Sequence, residues 1–249
     1  MVALTVMTYN VGNGLAEAAR LASFLRETAA DVVGLQELAA NQAERLKSEL
    51  VEAYPYQVLL PAGFSGKGLL SRHPVVDYQQ LLFYPDRPDL RVVVDMAGLP
   101  LSVVIGHPPP PRVTRSRLSF DPGAVFQLEA LAAAALEHPP GVLLGDLNMT
   151  PRHPVYTQFV AAGLVDAFAV AGKGRGWTLP RRLGHASRFK HRLHGLPLRP
   201  VARVDYIWYT RGLCAEAAWL GADGGSDHLP VLARLRLPPV HRLTPPHSR

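Results

Sequence analysis

One cysteine in 249 residues, Cys214, leaves no partner for an internal disulfide and excludes a metal site built from cysteine. Any metal must then be held by oxygen and imidazole ligands. Cys214 itself reads as a small buried apolar residue. No apolar run approaches the roughly 18 to 20 residues that a membrane span needs. The start, MVALTVMTYNVGNG, goes straight into a strand-like pattern without a basic leader or cleavage site, so a cytoplasmic location is expected. Neither a Ser/Gly linker nor a tandem repeat of roughly 20 to 50 residues interrupts the chain. One domain over residues 1–237 is the resulting expectation, followed by a mobile, proline-rich basic tail at 238–249, PPVHRLTPPHSR.

Acids are scarce where bases are dense. Residues 1–100 carry 8 Lys/Arg against 11 Asp/Glu, and residues 101–249 carry 18 against 9. The stretch 171–200 holds eight Lys/Arg, three histidines and no acid, which suits a phosphate-bearing partner. Lysine is rare too, four against 22 arginines, so a compositional bias toward arginine also accounts for part of this charge.

What is present is enough apolar residue, 48%, for a substantial core. Short β-branched or aromatic runs bounded by Gly, Pro, Asn or Asp predict strands at 3–9, 31–36, 56–60, 67–72, 75–83, 90–97, 100–106, 141–145, 202–209, 214–220 and 230–237. Helical periodicity falls at 15–28, 39–53, 123–138 and 153–161. Strands outnumber helices and several follow one another directly. That pattern predicts a mixed α/β domain with two stacked sheets.

Polar residues at strand ends face the crevice where α/β domains bind ligands. Asn10 ends the first strand, Glu37 ends DVVGLQE, His107 ends LSVVIGH, and Asp146 and Asn148 end GVLLGDLN. Asp205 lies in ARVDYIW, and Asp227 and His228 stand side by side in GGSDHLPV. Each alone reads as a turn former, a helix cap or a paired buried acid. Together they form a set that is expensive to bury unless the groups converge. Carboxylate and carboxamide oxygens suit Mg²⁺ or Mn²⁺ with substrate phosphate. A histidine held by an aspartate transfers protons or stabilises charge. Both together make a kit for hydrolysing phosphate esters.

The blocks TYN, LQE, GLLSRHP, GDLN, RVDYIW and SDHLPV, in this order, resemble the signature of the endonuclease/exonuclease/phosphatase family over residues 5–236. The resemblance implies a four-layer α/β/β/α sandwich and a metal-dependent phosphodiesterase. It implies Glu37 as principal metal ligand with Asn10 and Asp227 near the ion. Asp146 and Asn148 would position and activate water, His228 oriented by Asp205 would meet the scissile phosphate, and His107 would contact another phosphate oxygen. Asp227 and His228 would then be adjacent because one serves the metal and the other the phosphate.

Two departures bear on substrate. The abasic-site branch similar to exonuclease III carries lysine where QELAAN has Ala39, and tyrosine where this chain has His107. The chain resembles more the deoxyribonuclease and neutral sphingomyelinase branch, and GRGWTLP at 174–180 is similar to the GxGxTxP block of membrane-associated phosphatases. Substrate contacts are expected from Arg112, Arg115 and Arg117 in HPPPPRVTRSR, and from Lys173, Arg175, Trp177, Arg181, Arg182 and Phe189 in the basic loop. DNA or RNA is the first expectation for the substrate. A phospholipid, polyprenyl phosphate or other small phosphate ester at a lipid surface is the second. A non-catalytic binding protein ranks last, because no expected catalytic position is substituted. The chain is expected to act as a monomer.

Overall fold

The computed structural model describes residues 3–113, 118–183 and 196–237. The first half runs β1 (Ala3–Asn10), α1 (Ala18–Thr28), β2 (Val32–Gln36), α2 (Ala40–Glu49), β3 (Tyr56–Leu60), β4 (Lys67–Ser71), β5 (Val75–Leu81), β6 (Asp89–Asp95) and β7 (Pro100–Gly106). The second half runs β8 (Arg112–Val113), β9 (Leu118–Ser119), α3 (Pro122–Glu137), β10 (Gly141–Asp146), α4 (Pro154–Ala162), β11 (Leu164–Asp166), α5 (Ala167–Ala171), β12 (Asp205–Thr210), β13 (Cys214–Leu220) and β14 (Val231–Arg236).

All eleven predicted strands and all four predicted helices are present. The elements not foreseen, β8, β9, β11 and α5, have two to five residues each, too few for a hydrophobic period to declare itself. The strand expected from 202 begins only at Asp205, because Ala202 bonds instead to Thr178 and Leu179. Helix starts follow local chemistry. Asp121 accepts from the Gly123 N–H at 2.8 Å ahead of Pro122, and His153 Nδ1 accepts from the Val155 N–H at 3.2 Å ahead of Pro154.

The strands form two six-stranded mixed sheets, in the orders β13-β14-β1-β2-β4-β3 and β11-β12-β10-β7-β6-β5. They stack face to face, α1 and α2 cover the first, and α3 and α4 cover the second, which is the expected α/β/β/α sandwich. Period-two alternation sorts the side chains. On β1, Leu4 and Val6 enter the core between the sheets, whereas Met7 and Tyr9 pack under the helices with Leu21, Leu25 and Leu46. On β10, Val142 and Leu144 face the other sheet and Leu143 packs under α3. The sheets approach closely at Gly34, where an added Cβ would lie 2.9 Å from Leu144 Cδ1.

The expectation of a buried Cys214 is corrected. It opens β13, the edge strand of the first sheet, and is exposed, because an edge position leaves one flank of the strand uncovered. Among the described residues no helix is long and apolar enough to cross a membrane. The tail 238–249 lies outside the described residues, as do Arg115, Arg117 and Phe189.

Candidate active site

Chain direction gathers the polar residues. β1 and β2 run parallel, β7 and β10 run parallel, and β14 and β12 run antiparallel to β1 and β10. The C-terminal ends of four strands therefore share a rim with the N-terminal ends of two. The alternation that sends Leu4, Val6, Val142 and Leu144 between the sheets also sends Asn10 and Asp146 there, at the last position of each strand.

Asp146 is the hub. Its Oδ2 accepts from Asn10 Nδ2 at 3.0 Å and lies 3.4 Å from His107 Nε2 and 3.6 Å from His228 Nε2. Its Oδ1 accepts from the Asn148 N–H at 3.0 Å. Burial would push this carboxyl up, but His228 and His107, with Asn10, outweigh it and hold Asp146 well below the usual carboxylate range. On the other side of the same imidazole, His228 Nδ1 lies 2.9 Å from Asp205 Oδ2. Burial alone would push His228 down, yet Asp205 and Asp146 pull it well above the usual histidine range, while burial in turn raises the Asp205 carboxyl, so the pair shares its proton across the 2.9 Å contact.

Glu37 follows β2 in the left-handed region, at φ 54°, a conformation strained for a residue with a Cβ and frequent at functional positions. Its Oε1 accepts from Asn10 Nδ2 at 3.1 Å and lies 3.6 Å from His107 Nε2. Desolvation raises its carboxyl above the ordinary value, against the pull of His107. Asn10 turns its NH2 group to Glu37 and Asp146, because its oxygen is taken by the Gly12 N–H at 3.0 Å. His107 Nε2 faces only carboxylate oxygens, so that nitrogen carries a proton; Nδ1 lies 3.2 Å from Phe64 O and 3.3 Å from Arg87 Nη2. Asn148, at φ 50°, donates from Nδ2 to Pro108 O at 2.9 Å and ties the turn after β10 to the turn after β7.

Asp227 is half-buried beside His228, and Ser226 Oγ donates to its Oδ1 at 3.3 Å. Glycine allows this loop to close on the site. Gly225 has φ 105°, and a Cβ on Gly224 would lie 2.7 Å from the Tyr9 hydroxyl, which accepts from the Ser226 N–H at 3.1 Å.

Sequence reasoning missed two charged groups behind His107. Asp89 is fully buried and accepts from the His107 N–H at 3.1 Å and from Gln127 Nε2 at 2.7 Å. Lys67 is 2% exposed, donates to Ser65 O at 2.9 Å, and has its ammonium pushed down to about 8 by burial, against the attraction of Asp89. An isolated Lys or Asp at a strand start carries no sequence signal of burial.

The expected substrate contacts divide. Arg112, Lys173 and Arg175 are exposed, and the Arg175 guanidinium stacks 4.5 Å from the centre of the half-buried Trp177 ring. Arg181 and Arg182 are instead tied to Asp223 at 3.2 and 2.5 Å.

A divalent cation fits this donor set. Glu37 and Asp146 offer hard carboxylate oxygens joined by the Asn10 amide, and Asp227 adds a third from the adjoining turn, its Oδ1 3.2 Å from where a Cβ on Gly12 would lie. Asp146, Asp205 and His228 also place one ligand atom each within 4.8 Å of the others. Both nitrogens of His228 face acids, Nδ1 at 2.9 Å from Asp205 and Nε2 at 3.6 Å from Asp146.

A family model described as the endonuclease/exonuclease/phosphatase family matches residues 7–228. Solved structures share the fold. The crystal structure of D. rerio TDP2 humanized by 14 mutations is 20% identical with a TM-score of 0.71, covering 94% of this chain and 99% of that one. D. rerio TDP2 complexed with single strand DNA product is 19% identical, TM-score 0.71, covering 95% and 100%. An endonuclease/exonuclease/phosphatase from Beutenbergia cavernae is 22% identical, TM-score 0.68, covering 96% and 72%. No curated protein matches the sequence.

Proposed function

The chain belongs to the endonuclease/exonuclease/phosphatase family, and from that premise we propose that it is a hydrolase acting on phosphodiester bonds, with DNA or RNA as substrate and Mg²⁺ or Mn²⁺ as cofactor. The observation that carries the mechanism is the convergence of Asn10, His107, His228 and the Asn148 N–H on one carboxylate, Asp146.

Glu37 and Asp227 would hold the cation, with Asn10 orienting Glu37, and the cation would neutralise phosphate charge as it builds in the transition state. The rest belongs to the chain itself. His228, oriented by Asp205, donates from Nε2 to a phosphoryl oxygen, and His107 Nε2–H donates to another. These are the same two donors that hold Asp146 low in the absence of substrate. When a phosphate takes them, Asp146 becomes a stronger base and accepts the proton of the in-line water, which Asn148 helps to position. Support for nucleic acid comes from the exposed Arg112, Lys173 and Arg175 with Trp177 as a stacking surface, and from the D. rerio TDP2 relative that holds a single-strand DNA product.

The test is an activity panel with Mg²⁺ and Mn²⁺ over plasmid, single-stranded DNA, RNA, sphingomyelin and simple phosphomonoesters, with Glu37→Ala as the blank. Metal-dependent cleavage of a nucleic acid, lost in Glu37→Ala and in His228→Ala, is expected. Cleavage confined to sphingomyelin or phosphomonoesters refutes the substrate. Cleavage surviving both substitutions refutes the site.

A further inference from the structure

The loop that presents Asp227 and His228 is held by a strap, residues 177–183, running alongside it. The Leu229 N–H donates to Thr178 O at 3.0 Å, the Arg181 N–H donates to Asp227 O at 2.5 Å, and Arg182 Nε donates to Ser226 O at 2.8 Å. The strap also bonds to the residues before β12, since the Thr178 N–H donates to Ala202 O at 2.8 Å and Arg181 Nη1 donates to Leu198 O at 3.0 Å. Through these bonds one short segment links the loop bearing His228 to the strand bearing Asp205.

To these bonds a single carboxylate adds an ionic clamp. Arg182 Nη2 lies 2.5 Å from both oxygens of Asp223, and Arg181 Nε lies 3.2 Å from Oδ2. Asp223 Oδ1 also accepts from the Gly225 N–H at 2.9 Å, and its backbone oxygen accepts from Arg20 Nη2 at 2.9 Å, anchoring the loop to α1. Arg182 is only 13% exposed in its side chain, so its guanidinium cannot exchange Asp223 for water without cost. Two cations of an acid-free stretch thus share one carboxylate supplied from outside it.

We propose that Asp223 is a positioning residue: by clamping Arg181 and Arg182 it fixes the strap on the Ser226–His228 backbone, and so sets where His228 meets Asp146 and how Asp227 beside it is presented. This rests on the proposed function for its kinetic meaning, though not for its structural one. Arg181 and Arg182 are then structural cations, and the substrate's phosphates are met by Arg112, Lys173 and Arg175. A displacement of His228 by a fraction of an ångström weakens both of its acid contacts and misaims Nε2.

Asp223→Asn is the informative variant, because it keeps size and the acceptor for Gly225 but removes the charge. The expected result is a fall in kcat of about 10- to 100-fold with KM within about twofold, recovered in part by Asp223→Glu. Arg182→Lys, which keeps a cation but cannot reach Asp223 and Ser226 O together, gives a comparable fall, and the double variant Asp223→Asn/Arg182→Lys loses little more than either alone. Without substrate, NMR of the wild type and of each variant is expected to show shifts that reach beyond the substituted residue and its direct partners to the Ser226–His228 amides and the His228 ring, with the His107 ring unmoved. A change in KM rather than kcat, or additive losses, identifies the arginines as substrate grips and overturns the proposal. Unmoved Ser226–His228 signals in a folded variant overturn it as well. Should the wild type cleave no member of the panel, the functional reading fails, and the NMR comparison still decides the clamp. Should Asp223→Asn not fold, Arg182→Lys decides it.

Discussion

Asp146 and Asp205 are register partners on the antiparallel strands β10 and β12, and the His228 imidazole stands between them, 2.9 Å from Asp205 and 3.6 Å from Asp146. Like charges directly opposed across a strand pair repel. The imidazole between them relieves that repulsion, and the two acids pull it above the usual histidine range.

Removing one acid tests this arrangement. Asp205→Asn retains shape but no longer favours the cationic ring, so kcat/KM is expected to fall about 10²- to 10⁴-fold, as when the orienting acid of a catalytic histidine is lost. Initial rates together with thermal melting make the check. A melting temperature close to the wild type with a rate unchanged within about threefold rules out the assigned partnership.

Lys67 makes stability depend on alkaline pH. Its folded pKa of about 8 lies below the unfolded value of about 10.4, so between these the unfolded chain binds more protons. Stability contributed by this residue therefore rises with pH from roughly 8 to 10, as the buried ammonium sheds its proton. The buried Tyr54, pushed up to about 12, acts with the opposite sign, but only above about pH 10, where an unfolded tyrosine ionises. Urea denaturation at closely spaced pH values should show this rise in the wild type and its loss in Lys67→Met; parallel curves for the two proteins contradict it.

Arg175 and Trp177 form one surface unit. Arg175→Ala is expected to lower the salt dependence of nucleic-acid binding by about one phosphate equivalent. Trp177→Ala weakens binding by about 1 to 3 kcal/mol through lost base stacking. Fluorescence anisotropy with a short single-stranded oligonucleotide across a salt series measures both. An unaltered slope in Arg175→Ala removes that residue from the contact surface.

Cys214 is exposed on an edge strand, away from the catalytic cluster. A thiol reagent should titrate it fully in the native protein, and Cys214→Ser should leave activity unchanged. A thiol that reacts only after unfolding contradicts the exposed position.

Much of the site was legible because strand periodicity is local. Leu4, Val6 and then Asn10, or Val142, Leu144 and then Asp146, are spaced by multiples of two, so a polar residue closing an apolar alternation must sit at the mouth of the same face. The adjacency of Asp227 and His228 after two glycines was equally visible, and the tight turn agrees with it. Asn10 was expected near the ion; that its oxygen accepts from the Gly12 N–H while its NH2 group bridges Glu37 and Asp146 is a contact that the amide's identity does not reveal.

Sequence by itself determined the elements, the two-sheet class and the set of strand-end residues, because hydrophobic period and turn chemistry act over a few neighbouring positions. Only the tertiary structure decided which charges are satisfied by which. Arg182 and Asp223 are 41 residues apart and Asn10 and Asp146 are 136 apart. Basic side chains read alike in a sequence whether they grip substrate, as expected of Arg181 and Arg182, or clamp a loop. Burial of Lys67 and exposure of Cys214 follow from the order in which strands join a sheet, which is fixed by long-range packing and not by the residues beside them.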